Sequence, residues 1–111
     1  METLERYRQI VQNLINEYAQ HKPSHGQIET EVIIDPQQDH YELMHIGWDK
    51  HRRVHGSVIH IDIINGKIWI QYDGTNRPVA EELLAAGVPK EDIILGFHPE
   101  SVRQYTDFGI V

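Results

Sequence analysis

Eight histidines are the most unusual feature of this chain, and they are the residues best suited to bind a metal or to carry a proton near neutral pH. A metal site needs three or four ligands that converge within bonding distance, and no histidine forms an HxH or HExxH motif. We therefore expect surface and sheet histidines whose charge is sensitive to pH, and we predict no metal and no cofactor. The positions are His21, His25, His40, His45, His51, His55, His60 and His98.

One histidine arrangement stays open as an alternative, a small metal-dependent hydrolase that uses His45, His60 and Glu42. In the strand register predicted below, His45 lies opposite Gly56, and the ring of His60 is then roughly ten ångströms or more away. His40 and Glu42 can join such a site only if the register differs. Elemental analysis for stoichiometric zinc or manganese tests this alternative.

Other catalytic patterns are missing from the sequence. The serines are Ser24, Ser57 and Ser101, none of which lies in a GxSxG motif, and cysteine is absent. The acidic pairs Glu81-Glu82 and Glu91-Asp92 are typical of solvated helix and turn positions. There is no GxGxxG, GxxxxGKS or GxxxxGKT loop to bind a phosphate. We therefore predict a non-enzymatic protein without catalytic residues.

The net charge limits the possible partners. Ten Lys and Arg against seventeen Asp and Glu give −7, and the resulting field repels the phosphates of DNA. The basic cluster at Lys50-His51-Arg52-Arg53 is typical of an edge hairpin that is kept soluble by charge. Direct DNA contact through Lys50, Arg52 and Arg53, in a complex or dimer that dilutes the acidic charge, stays open as an alternative.

The composition predicts one domain that spans residues 1–111. A length of 111 residues with 40% hydrophobic and 24% charged residues is typical of a single globular domain. The absence of cysteine excludes a disulfide framework and a cysteine zinc site. Because we find no signal-peptide layout and no apolar run of membrane-spanning length, we expect a cytoplasmic protein without membrane contact.

Hydrophobic periodicity and turn residues predict an α+β fold. Apolar residues at intervals of three and four predict a helix from Thr3 to about Gln20. A four-stranded antiparallel meander follows, then a second short helix, a short fifth strand and a C-terminal helical tail. The predicted strands are Ile28–Asp35, Tyr41–Trp48, Val54–Ile64, Lys67–Tyr72 and Ile93–Phe97, and the predicted later helices are Pro78–Ala86 and Pro99–Tyr105.

The turn at Asn65-Gly66 predicts a two-residue type I′ hairpin between the third and fourth strands, which sets their register. The predicted core pairs are Ile63 with Ile68, Ile61 with Ile70, and Ile59 with Tyr72. The predicted pairs on the second face are Ile64 with Lys67, Asp62 with Trp69, and His60 with Gln71. One sheet face is thus apolar, and the other is mixed.

A two-residue hairpin at Lys50-His51 extends this pattern to the second strand. With that loop, Met44, Ile46 and Trp48 lie on the core face. A mixed second face usually meets another surface, so we predict a partner interface there that includes His60 and Trp69. The second face also receives Leu43, His45, Val54 and Val58, and of these Leu43 and His45 belong to the predicted interface.

The tail from Phe97 to Phe108 is rich in residues that anchor protein interfaces. We therefore add Arg103 and Tyr105 to the predicted partner interface. An equally open alternative is that Phe97, Tyr105 and Phe108 dock the C-terminus onto the core.

Three stretches of the chain resemble the XisI family, the small cyanobacterial factors that control excision of the fdxN DNA element. They are Gly66–Thr75 (GKIWIQYDGT), Gly87–Phe97 (GVPKEDIILGF) and Arg103–Phe108 (RQYTDF). The N-terminal helix and the segment Trp48–His60 also fit, so the resemblance covers nearly the whole chain.

The resemblance implies an accessory role in site-specific DNA rearrangement, beside a companion protein, XisH, and a site-specific recombinase. It supplies no agreed catalytic residues. Our leading hypothesis is an accessory protein that binds a XisH-like companion, because an acidic domain can associate with the basic surface of a DNA-processing partner. Homodimerisation through the same mixed face is the competing possibility.

Overall fold

The chain forms one five-stranded sheet with helices, in a computed structural model that describes residues 3–21, 23 and 26–110. Two residues named above, Ser24 and His25, lie outside the described residues. Among the described helices, we find none with the length and apolar character needed to cross a bilayer. The strands are β1 (Gln27–Asp35), β2 (His40–Asp49), β3 (Arg52–Ile64), β4 (Lys67–Asp73) and β5 (Ile93–Leu95). The helices are α1 (Thr3–Ala19), α2 (Val79–Ala85) and α3 (Glu100–Arg103), with a 3-10 turn at Lys90–Asp92.

The sheet order is β1-β2-β3-β4-β5, with antiparallel pairing through β4 and parallel pairing between β4 and β5. This arrangement confirms the predicted α+β fold, its meander and its short fifth strand. The parallel pairing of β5 requires the chain to cross over after β4, and α2 lies in that connection.

The core lies between α1, α2 and one face of the sheet. The apolar stripe of α1 buries Tyr7, Val11, Leu14 and Ile15 against the strands. Removal of this apolar surface from water is the main stabilising contribution. The sheet contributes Tyr41, Leu43, Ile59, Ile61, Ile63, Ile68, Ile70 and Ile93.

A β-bulge at Val58 changes the pairing of β2 with β3. Met44 pairs with Ser57, but the next pair is Leu43 with Ile59, which leaves Val58 without a partner in the ladder. Because side chains alternate along a strand, this one-residue shift exchanges the two faces of β2 relative to the predicted register.

The face prediction for β2 is therefore wrong. Leu43 is buried at 2% exposure, whereas Trp48 is 50% exposed. Leu43 and Val58 pack with the core on the helix side of the sheet. His45 pairs with Gly56 as predicted, two residues from Leu43 and on the same side. The other residues assigned to the wrong face are Met44, Ile46 and Val54.

A second bulge lies at Gln71 in β4. The predicted pairs of Ile63 with Ile68 and Ile61 with Ile70 are confirmed. The predicted pairs of Ile59 with Tyr72 and His60 with Gln71 are wrong, because His60 pairs with Tyr72 and Ile59 with Asp73. Tyr72 consequently lies on the face opposite the core, where it is 50% exposed.

We call the sheet face opposite α1 the open face. Register and alternation place acidic, imidazole and large apolar side chains on it. Its members are Glu29, Glu31, Ile33, His40, Glu42, Met44, Ile46, Trp48, Arg53, His55, His60, Asp62, Ile64, Trp69, Gln71 and Tyr72.

Candidate functional site

Two adjacent strands bring a pair of histidines and an aspartate together on the open face. The bulge at Val58 places His40 opposite Asp62 and Glu42 opposite His60. His60 and Asp62 are two residues apart on β3, so both point to the same face. The sequence analysis allowed His40 and Glu42 to join a histidine site only if the register differed from the predicted one. The bulge produces such a difference.

The Asp62 carboxylate is the centre of this cluster. Its Oδ1 accepts hydrogen bonds from His40 Nδ1 at 2.8 Å and from His60 Nε2 at 3.0 Å. Gln71 Nε2 donates to the other oxygen, Oδ2, at 3.2 Å. Asp62 is only 7% exposed, and a buried carboxylate needs such partners because its desolvation is unfavourable.

The two histidines differ in their environment. The hydrogen bond to Asp62, together with its charge, raises the pKa of His40, whose side chain is 59% exposed. The His60 side chain is half-buried, and its Nδ1 lies 3.7 Å from Glu42 Oε2. Three side chains that can ligate a metal, those of His40, His60 and Asp62, thus lie together with Glu42 beside His60, and they can hold a cation or share protons.

The sequence analysis missed Asp62, and it admitted His40 to a histidine site only under a different register. The spacing of His60 and Asp62 at i and i+2 in a predicted strand was a usable signal for a shared face. The part played by His40 depends on the bulge and could not be read locally. The alternative triad of His45, His60 and Glu42 is not assembled, because His45 lies on the helix side of the sheet.

The C-terminal tail packs beside this cluster on the open face. The Arg103 guanidinium stacks over the Trp69 ring at 4.9 Å from its centroid, and Arg103 Nε donates to the His98 carbonyl at 3.0 Å. The backbone N–H of Gly109 donates to the carbonyls of Lys90 and Ile93. These contacts attach the tail to the β5 edge of the sheet.

The docking alternative for the tail is confirmed for one of its three aromatic residues. Phe108 packs against the core, as the docking alternative predicts. Tyr105, however, is 84% exposed and Phe97 is 46% exposed, so these two rings do not serve as core anchors.

Among the predicted interface residues, the structure brings His60, Trp69 and Arg103 to the open face and leaves Tyr105 at the surface of the tail. The placement of Leu43 and His45 at that interface is wrong. Leu43 is a core residue, and His45 lines a groove of about 880 Å³ between α1 and the sheet.

The basic hairpin has the predicted two-residue loop, since Asp49 pairs with Arg52 across Lys50 and His51. Its two arginines have partners within the chain. The Arg53 guanidinium lies 5.3 Å from the Trp48 ring centroid, and Arg52 Nη2 lies 3.8 Å from Asp49 Oδ2.

Comparison with known proteins agrees with this fold and with the motifs of the sequence. The family model described as XisI protein matches residues 1–110. The chain belongs to the XisI family. We found no match among proteins with curated descriptions.

Two solved structures are similar to this XisI-family chain over almost its full length. A XisI-like protein from Anabaena variabilis ATCC 29413 is 42% identical, with a TM-score of 0.91, over 97% of this chain and 99% of its own. The fdxN element excision controlling factor XisI from the same organism is 40% identical, with a TM-score of 0.86, over 99% of this chain and 100% of its own.

Proposed function

We propose that this protein is a non-enzymatic accessory factor that controls excision of a DNA element by binding a XisH-like companion protein. The complex acts beside a site-specific recombinase. Membership of the XisI family supports the role in excision, since a similar structure is described as an fdxN element excision controlling factor.

The exposed apolar surface of the open face is the observation that carries the partner-binding part of this proposal. Ile33 is 41% exposed, Trp48 50%, Ile64 41% and Tyr72 50%, and all four lie on this one face. Large apolar side chains gathered on one face of a sheet are typical of a protein interface. A partner that covers them gains hydrophobic contact area.

Polar and cationic residues border this apolar surface. His60 pairs with Tyr72, and Arg103 stacks on Trp69. Tyrosine and arginine are common anchors in interfaces, so Arg103 and the exposed Tyr105 extend the proposed contact region onto the tail. The interface that we propose therefore consists of the open face and the adjoining tail.

The charge of the chain supports a basic partner. A net charge of −7 attracts a protein surface that is positive where it contacts DNA, and such attraction accelerates association. We expect the association rate with the companion to fall as ionic strength rises. A stopped-flow association rate that is independent of salt contradicts electrostatic attraction as part of the mechanism.

The central experiment is co-expression with the XisH-type companion, followed by size-exclusion chromatography with light scattering. We expect a stoichiometric heterocomplex. Substitution of Tyr72→Ala or Tyr105→Ala should weaken the complex by about tenfold or more, which corresponds to about 1.4 kcal/mol. Gln9→Ala, at an exposed position of α1, is the control and should leave the affinity unchanged.

Other outcomes contradict the proposal. A homo-oligomer that ignores the companion, or a complex unaffected by both tyrosine substitutions, removes the partner interface from the open face. A gel shift of DNA by the isolated protein at low salt, lost on substitution of Lys50, Arg52 and Arg53, favours direct DNA binding instead.

A further inference from the structure

We propose that His40, His60 and Asp62 bind one divalent transition-metal ion, with Zn²⁺ as the reference ion. The cluster lies on the open face, and one ligand atom from each residue falls within 4.8 Å of the others. Two imidazoles and one carboxylate are a ligand set that Zn²⁺ uses in proteins. This assignment does not depend on the proposed excision function.

The ligand separations support the site. Zinc ligands lie about 2.0–2.2 Å from the ion, so two ligands of a tetrahedral site are roughly 3.3–3.6 Å apart. Asp62 Oδ1 is 2.8 Å from His40 Nδ1 and 3.0 Å from His60 Nε2. To accept the ion, these two contacts must lengthen by a few tenths of an ångström, and the two imidazole nitrogens, which lie within 4.8 Å of each other, must come to the same separation of roughly 3.3–3.6 Å. The exposed His40 side chain can make this movement without repacking the core.

Neighbouring groups are placed as outer partners of metal ligands usually are. When His60 binds the ion through Nε2, its Nδ1–H faces Glu42 Oε2, which lies 3.7 Å from Nδ1. A carboxylate that accepts a hydrogen bond from a ligating histidine fixes its tautomer and makes the imidazole more basic, and Glu42 needs to move only a few tenths of an ångström closer to do so. The Gln71 amide orients the Asp62 carboxylate from its other oxygen.

The burial of the Asp62 carboxylate favours the binding of a cation. Asp62 is 7% exposed, within a strand whose other buried side chains are hydrophobic. A divalent cation bound to this carboxylate compensates its desolvation more completely than hydrogen bonds from side chains do. Three protein ligands leave a fourth position for water, on the exposed side of the cluster.

The test uses the full chain without an affinity tag, treated with EDTA, dialysed and titrated with Zn²⁺ against a chromophoric chelator. We expect one Zn²⁺ per chain. The double variant His40→Gln/His60→Gln should bind it more than about a hundredfold more weakly, because loss of an outer partner alone typically costs about 10–100-fold. Gln71→Leu should weaken binding by about tenfold.

The matched control is His55→Gln, on the same strand and the same face as His60. It should retain the affinity of the unmodified chain. Thermal unfolding in EDTA verifies that each variant folds, and Zn²⁺ should raise the Tm of the unmodified chain but not that of the double variant.

Two results overturn the assignment. In the first, the unmodified chain binds Zn²⁺ no more tightly than the double variant, and the cluster is then a hydrogen-bonded group only. In the second, His55→Gln loses binding as fully as the double variant, which moves the site elsewhere.

Discussion

Replacement of Leu43 by alanine tests the bulge at Val58, on which the placement of the candidate site depends. In the register without a bulge, Leu43 faces away from the core and Met44 faces into it. In the structure, Leu43 is 2% exposed and lies opposite the buried Ile59. The two registers therefore predict opposite rankings for Leu43→Ala and Met44→Ala.

The expected loss follows from burial and from the space around Leu43. Truncation of a buried leucine to alanine typically costs about 2–5 kcal/mol, and more when the cavity cannot collapse or fill. Leu43 borders the groove between α1 and the sheet, which water can enter, so we place the loss at about 2–3 kcal/mol. Met44 is half-buried on the open face, and its truncation should cost about 1 kcal/mol.

Urea unfolding of both variants and of the unmodified chain gives this comparison directly. If the free energy of unfolding falls with urea concentration at the same slope for all three proteins, their unfolding reactions expose similar surface areas. Repeating the unfolding at a second protein concentration shows whether self-association contributes to the measured stability. For a domain of this size, the Leu43→Ala variant should melt roughly 10 °C lower or more. A loss for Met44→Ala that equals or exceeds that of Leu43→Ala refutes the bulged register.

Two further predictions concern the ends of the sheet. Burial raises the pKa of Asp39, but hydrogen bonds from Arg8 and Tyr41 and the positive charge of Arg8 together outweigh it and hold that pKa below its usual value. The stability that Asp39 contributes is therefore present above about pH 4 and is lost as pH falls further, so Asp39→Asn should lose less free energy of unfolding on acidification than the unmodified chain. Gly109→Ala should detach the tail, because its Cβ would lie 2.4 Å from the Glu91 carbonyl oxygen, and amide exchange across residues 99–110 should accelerate.

Each of these predictions has a control. Gly56→Ala places a Cβ with no atom within 4 Å and should leave tail exchange unchanged. If the tail of Gly109→Ala exchanges as slowly as that of the unmodified chain, close packing of this glycine is not what limits tail opening. Equal acid sensitivity of Asp39→Asn and the unmodified chain contradicts a contribution from the ion pair with Arg8.

Only part of the candidate site could be predicted from the sequence. His60 and Trp69 were predicted as interface residues from the face that the Asn65-Gly66 hairpin gives them, and Arg103 from its residue type in the tail. The contact of His40 with Asp62 was missed because the two residues are 22 positions apart and meet only through the register of two strands. Leu43 and His45 were assigned to the wrong face by the same register error.

The sequence by itself determined the helices, the strands, the hairpin at Asn65-Gly66 and the family. These features depend on apolar periodicity, on turn chemistry and on motifs that are contiguous in the chain. Each can therefore be recognised within a short window.

The tertiary structure alone decided which face of β2 is buried and which side chains surround Asp62. The bulges at Val58 and Gln71 were not read from the sequence, since an unpaired residue shows only in the register of one strand against its neighbour. A strand has a side-chain period of two, so one unpaired residue exchanges its faces. This single-residue shift is the physical reason that His40, His60 and Asp62 meet.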